Sequence, residues 1–240
     1  MALANLAEKL AITQGKRRVL LTEVTRMKGG LVCVAGIDID NHQMVRPLQP
    51  GGRNWEETKW VETAYMEVGN ILNLTPANEA ESNYPHRTED FWVSQVGLLG
   101  KADWHELHVA CIETAFNSIN DLFNHFVVDN KFVHAGTQCR SLGCVMVPAP
   151  TLRVSGAFDK VQVSYPCGLA GWQNLPVTDL TVKNCQDSIT GAALIQQRLG
   201  EAGNSYVALR IGLARAWDGP DHTYDPKRCY IQLNGLITPG

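Results

Sequence analysis

The sequence predicts a mainly β chain with helices, an α+β arrangement of two small five-stranded β-barrels joined by a helical segment. Three observations carry this. β-like segments fall into two groups of five, a stretch of helical period separates the groups, and Gly- or Pro-marked polar connections punctuate both. A length of 240 residues allows one large domain or two small ones, and 45% apolar content is enough for a core.

Residues 1–15 read as an N-terminal arm. Leu3 to Ile12 is short and amphipathic, without the basic lead-in of a secretory signal and with Glu8 and Lys9 set among its apolar residues. The β pattern begins after Lys16. "RRVLLTEV" (17–24) is β-rich, "RMKGG" breaks it, "LVCVAGIDI" (31–39) comes next, and "DNHQ" turns the chain into "MVRPL" (44–48), so 31–48 reads as a hairpin. Pro47 has no N–H to donate, which places it at the end of a ladder or on an edge. "YMEVGNILNL" (65–74) and "TEDFWVSQV" (88–96) supply the fourth and fifth segments, with a polar loop between them.

Residues 103–126 change period: Leu107, Ala110, Cys111, Thr114, Ala115, Ile119, Leu122, Phe123 and Phe126 keep helical spacing, and Asp103 with Glu106 forms a capping pattern. This is one long helix or two short ones. "GTQCRSLGCVMVPAP" (136–150) is a turn-rich entry to a short strand, and its closing Pro-Ala-Pro is the linker candidate. Beyond it, "TLRVSG", "KVQVSY", "LPVTDLTV", "SYVALRIGLARAW" and "RCYIQLNGLI" are β-like, interrupted by "DSITGAALIQQRLGEAG", a helix capped by Asp187 or Ser188. The division is an arm over 1–15, a first barrel with its linking helix over 16–148, and a second barrel with an inserted helix over 149–240.

Five short strands and a helix are what a Greek-key barrel of the OB type requires, while strand counting alone leaves a β-sandwich or a single mixed sheet open. The run 17–48, then "PHRTEDFWV" (85–93), "GTQCRSLG", "LPVTDLTV", "LRIGLARAW" and "CYIQLNGLI" come in an order that resembles the dual OB-fold domain family of prokaryotes, from Arg17 to Ile237. The resemblance implies a two-barrel module with a nucleic-acid role in a defence or mobile-element setting. The chain departs from the pattern in its arm and in the helix between Asp187 and Gly203.

The net charge of −3 and a pI near 6.2 exclude a whole-molecule basic field for nucleic acid. Any such role needs a local patch. From Lys16 to Arg53 seven basic residues (Lys16, Arg17, Arg18, Arg26, Lys28, Arg46, Arg53) stand against Glu23, Asp38 and Asp40, a balance of +4. This patch either faces phosphate or is ordinary strand-edge charge. Seven scattered cysteines with no CxxC argue against a disulfide framework and for a reducing, cytoplasmic setting, and no apolar run nears the roughly 18 residues of a membrane-spanning helix.

Arg46 is the most defined candidate. Pro47 holds residue 46 extended, and alternation sends Val45 and Arg46 to opposite faces, so a core Val45 turns Arg46 outward. There its guanidinium could fork a phosphate or carboxylate, or close a salt bridge to Asp38, Asp40 or Glu89.

The remaining motifs divide between binding and structure. In "PHRTEDFWV", Trp92 or Phe91 could stack a base, while His86 with Glu89 or Asp90 could be an acid/base pair; an edge strand with solvated charge competes with both. In "GTQCRSLG", Arg140, Ser141 and the N–H groups near Gly143 suit a phosphate turn as well as a plain turn. His134 with Cys139 and Cys144 falls short of zinc spacing, and a nucleophilic Cys139 would want His134 or another base nearby; neither reading is favoured over a turn. Asp179 in "VTDL" caps a turn or helix more naturally than it catalyses. The loop 217–228, with His222, Asp218, Asp221 and Asp225, lacks calcium-loop spacing.

No GxxxxGK[ST], GxGxxG after a strand, GxSxG or HExxH occurs. The reading is a cytoplasmic binding or sensing module without turnover, needing no cofactor and no metal and no membrane. Its expected ligand is single-stranded nucleic acid or a nucleotide, held by Arg26, Lys28, Arg46, Arg53, Arg140 and Ser141 with Trp92 stacking. The alternatives are an enzyme on the same ligand class, with His86, Glu89 and Asp179 in one pocket, and a scaffold recruiting a protein partner through an apolar patch.

Overall fold

Five strands of the first half close on themselves in the computed structural model, which describes residues 1–10, 14–79, 82–167, 171–216, 225 and 227–240. Most of the loop 217–228, with His222, Asp218 and Asp221, lies outside the described residues. Helix α1 (Ala2–Lys9) comes first, then β1 (Arg17–Arg26), β2 (Leu31–Asp38) and β3 (Met44–Leu48). A short β4 (Trp55–Glu56) and α2 (Glu57–Trp60) precede β5 (Asn70–Glu79) and β6 (Asp90–Lys101). β1 pairs antiparallel with both β2 and β5, β2 with β3, β5 with β6, and β3 runs parallel to β6, so the ring β1-β2-β3-β6-β5 is complete. That order is the OB Greek key. Alternation does the sorting: Val19, Leu21, Val32, Val34, Val45, Leu72 and Leu74 fill the interior.

The register explains Pro47. β2 covers only Met44 and Val45 of β3, whereas β6 pairs with Arg46, Pro47 and Leu48. Proline therefore stands where the β2 ladder has ended, as its missing N–H requires.

The helical stretch is two helices. α3 (Trp104–Glu113) carries the expected capping box between Asp103 and Glu106, β7 (Ala115–Phe116) intervenes, and α4 (Ile119–Leu122) is capped by Ser118. α1 packs on α3, burying Leu3 and Leu6, and Arg18 Nη1 donates to the carbonyls of Ala7 (2.8 Å) and Leu10 (2.7 Å) at its end.

The second barrel repeats the order. β8 (Phe132–His134) is an edge addition to it, followed by β9 (Leu142–Pro148), β10 (Arg153–Ala157), β11 (Lys160–Pro166) and β12 (Trp172–Pro176). Then come α5 (Leu180–Lys183), α6 (Ser188–Ala202), β13 (Tyr206–Leu213) and β14 (Arg228–Ile237). β10, β11 and β12 form a meander, while β9, β13 and β14 form the other wall. Pro148-Ala149-Pro150 is not a link between barrels: a 3-10 turn at Ala149–Thr151 bends β9 into β10, making one long first strand. Closure comes from the parallel bridge Val177↔Leu233, with Thr178 N–H donating to Leu233 O at 2.9 Å. "LPVTDLTV" is thus half strand and half helix, since Asp179 caps α5. The helix between Asp187 and Gly203 is α6, which lies between the third and fourth strands and packs on β10 and β11.

Both barrels carry a bulge on facing strands. On β1 the register slips between Leu21 and Glu23, and the interior residues are Val19, Leu21 and then Val24, so Thr22 and Glu23 both turn outward. On β14 the interior residues are Ile231, Leu233 and then Leu236, so Asn234 and Gly235 both turn outward. The two bulges meet. A Cβ placed on Gly235 would lie 3.6 Å from Thr22 O, an ordinary van der Waals contact across the junction. Among the described residues no helix is long and apolar enough to cross a membrane, and all seven cysteines are free thiols.

Candidate functional site

Val45 is core and Arg46 turns outward, but the outside of the first barrel at this point is the second barrel. Arg46 is 4% exposed. Its register partner across the parallel β3/β6 ladder is Asp90, and Nη1 donates to Asp90 Oδ1 at 2.8 Å. Nη1 also lies 3.2 Å from His86 Nδ1, and Nη2 donates to Ser141 Oγ at 2.9 Å. The counter-ion is therefore Asp90; Asp38 is taken by Arg17 and Asp40 by Arg18. Glu89 contributes at second hand, accepting from Ser141 N–H at 2.9 Å and from Ser141 Oγ–H at 2.8 Å.

Arg215, at the end of β13, completes the group. Its Nη2 donates to Asp90 Oδ2 at 2.6 Å, an oxygen that also accepts from Ser82 Oγ–H. Two guanidinium groups thus share one carboxylate. Burial would raise the Asp90 carboxyl, yet Arg46, Arg215 and Ser82 together hold it below its ordinary value. Burial pushes Glu89 up to about 7 against the pull of Arg46 and Ser141. Burial, reinforced by Arg46 and Arg215, takes His86 down to about 3, so its ring is neutral and Nδ1 accepts from Arg46. With His86 neutral and Glu89 only partly ionised near neutral pH, the group carries surplus positive charge.

This group forms one wall of a cleft of about 510 Å³ between the barrels. The first barrel lines it with the outward residues Glu23, Thr25, Cys33 and Ala35, with the β1/β2 turn residues Met27 and Lys28, and with Arg26 and Arg46. The second barrel supplies Leu213 to Ala216, Gln232 and Asn234. A buried ion pair ties the floor together, Arg210 Nη2 to Glu23 Oε1 at 3.3 Å, with both side chains at or below 1% exposure.

Of the residues picked from sequence, Arg26, Lys28 and Arg46 line this cleft. The others do not. Arg53 is exposed on the turn after β3, with Nε toward Pro50 O. Trp92 is half-buried, its Nε1 buried without a partner among the described residues, and it lies outside this cleft. Arg140 lies over the Phe116 ring at 4.5 Å. Ser141 is fully buried with its N–H and hydroxyl committed to Glu89, and Gly143 is inside the β9/β13 ladder, so no open phosphate turn exists at "GTQCRSLG".

The trio His86, Glu89 and Asp179 does not converge. His86 and Glu89 sit in the Arg46 group, whereas Asp179 caps α5, accepting from Thr181 N–H at 2.8 Å, and lines a separate cleft of about 360 Å³ with Thr22, Trp104 and Arg198. Among the described residues no group of three metal-ligating side chains is gathered.

Sequence reading missed Arg215, Glu23, Gln232 and Asn234. Two signals were present. Arg215 is the lone charge in "GLARAW" where a strand gives way to a loop, and Glu23 is a charge inside the apolar run "VLLTEV".

Comparison with curated proteins and with solved structures finds no match. The family model for a dual OB-containing domain matches residues 16–236, and both barrels have the strand order that name describes. On this match and this topology, the chain belongs to the dual OB-containing domain family, a fold of binding modules.

Proposed function

We propose that the chain binds a nucleotide, or the end of a single-stranded nucleic acid, in the cleft between its barrels. The observation that carries this is the pair Arg46 and Arg215 on the single carboxylate of Asp90, at the wall of a cleft whose rim adds Arg26 and Lys28. A surplus of guanidinium charge at the wall of a recess favours a phosphate. The volume lies within the range of small-ligand sites, and Met27, Ala35, Leu142, Leu213 and Ala214 offer an apolar wall to a base.

Loop placement supports the same reading. OB barrels bind through the loops after the first and fourth strands. Here the 27–30 turn of the first barrel and the start of the β13/β14 loop of the second border one cleft, and the β5/β6 loop of the first brings His86 and Glu89 behind it. A cytoplasmic setting belongs to this proposal and rests on the scattered, unpaired cysteines. A prokaryotic defence or mobile-element role rests on the family resemblance alone.

The test is fluorescence anisotropy with 5′-mononucleotides and short DNA and RNA oligonucleotides at low and at physiological salt. Binding should weaken as salt rises, and Arg215→Ala should weaken it about tenfold and lower the salt slope by roughly one. Arg215 suits this because its side chain is 46% exposed, and Arg46 and Ser82 still hold the buried Asp90 carboxylate when it is removed. Absence of binding at low salt overturns the proposal.

A further inference from the structure

We propose that the cleft selects its ligand by an amino group, accepted by Glu23, so that the nucleotide of the reading above carries adenine or cytosine in preference to their oxo counterparts. The inference rests on that reading and deepens it. The β1 bulge turns Glu23 out of the barrel and to the cleft. Its Oε1 meets Arg210, while Oε2 is buried and has no hydrogen-bond partner among the described residues. An unpaired carboxylate oxygen in a buried site is a costly vacancy that a ligand N–H relieves.

The hydroxyl donors that line the cleft are spent. Thr25 Oγ–H donates to Cys33 O at 3.3 Å, and Thr178 Oγ–H to Leu233 O and to Asn234 Oδ1. Among the residues that line the cleft, the remaining donors here are side-chain amides: Asn234, whose Oδ1 is already engaged, and Gln232, on the same outward side of β14; Arg210, whose Nε and Nη1 are also buried without partners among the described residues, does not line the cleft. A carboxylate acceptor beside amide donors complements an amino group beside a ring nitrogen, the edge that adenine and cytosine present. Hypoxanthine and uracil put an oxo acceptor where the amine was and a proton on the ring nitrogen. Both contacts then reverse.

The experiment uses the whole chain and measures dissociation constants for AMP, for purine riboside 5′-monophosphate, which lacks only the amine, and for IMP, with CMP against UMP as the pyrimidine pair. The amino member of each pair should bind about 10- to 100-fold more tightly. Equal affinities within about twofold overturn amino selection and leave the reading above standing; no binding by any of these nucleotides overturns amino selection of a nucleotide, and no binding of oligonucleotides either overturns both. Glu23→Gln combined with Arg210→Met removes the buried pair together, which avoids stranding Arg210 as a lone charge. In that variant the AMP preference should fall to within about twofold while salt sensitivity persists, and a preference that survives overturns the assignment to Glu23. The comparison of analogues on the unaltered chain decides the matter if the double variant does not fold.

Discussion

Glu89 holds Ser141 by both of its hydrogen-bonding donors, the backbone N–H at 2.9 Å and the hydroxyl at 2.8 Å. Glu89 precedes the last strand of the first barrel and Ser141 precedes the first strand of the second. The contact is therefore a clasp between barrels, made of a carboxyl that burial holds near neutrality.

Glu89→Gln should make the protein relatively more stable as pH rises. Glu89 has a folded pKa of about 7 against an ordinary 4.5, so its favourable contribution is complete below 4.5 and is lost as pH rises to 7. His86, about 3 folded against 6.5, acts oppositely: its contribution is complete above 6.5 and is lost as pH falls towards 3. The two trends oppose each other between 4.5 and 6.5 in the native chain. In the variant only the His86 trend remains. Thermal unfolding at about pH 5 to 8 should show the gap between variant and native chain widening by roughly 1–3 kcal/mol. A gap that does not change with pH would mean that Glu89 titrates as an ordinary glutamate.

Arg46→Ala should act on the fold before it acts on any ligand. It leaves His86 Nδ1 and Asp90 Oδ1 without their donor in a buried site, for an expected loss of about 3–5 kcal/mol in urea unfolding. Arg46→Lys keeps the charge but cannot reach Asp90 and Ser141 with separate nitrogens, and should lie between. A loss below about 1 kcal/mol for the alanine variant would assign the group to the solvent-screened class of ion pairs.

Gly36→Ala and Gly200→Ala should move stability in opposite directions. A Cβ at Gly36 would stand 2.2 Å from the Leu20 carbonyl, which is backbone and cannot step aside, so a loss of about 2 kcal/mol or more is expected. Gly200 lies in α6 with nothing near its Cβ position, and alanine should add about 0.5–1 kcal/mol. Chemical denaturation midpoints distinguish the two, and a stabilised Gly36→Ala would contradict the close approach of β1 and β2.

Native thiol labelling should separate the cysteines into two classes. Cys33, Cys167 and Cys185 are half-buried and should react in the folded protein, whereas Cys111, Cys139, Cys144 and Cys229 should wait for unfolding. Cys33 faces the cleft, and burial raises its thiol, so it should react about tenfold more slowly than an open cysteine and more slowly still when a nucleotide is bound. Mass spectrometry of labelled peptides reads this directly, and unchanged Cys33 labelling at saturating nucleotide would place the ligand elsewhere.

Local order was legible and long-range register was not. The hairpin 31–48 announced itself through alternation, "DNHQ" and Pro47, and α6 through Asp187 and its helical period. Even the outward turn of Arg46 was implied by Val45 and Pro47. Its partner was not, because Asp90 is fixed by the parallel ladder between strands 44 residues apart. The bulges at Thr22 and Asn234 are single extra residues that flip the parity of the rest of the strand, and alternation read along one strand has no means of counting them. Asp179 was misgrouped for a related reason: the chain leaves the strand at Pro176 and starts a helix at Leu180, which sends the carboxylate to the other cleft.

The meeting of the two bulges bears on how such a chain can change over generations. Thr22 and Gly235 touch, Arg210 crosses to Glu23, and Ser141 answers both Glu89 and Arg46, so each barrel ends at a surface the other finishes. Swapping either half for a foreign OB module would strand buried charges that no mortar of water could reach. The two barrels fit as a matched set, and a change at one of these contacts calls for a matching change across it.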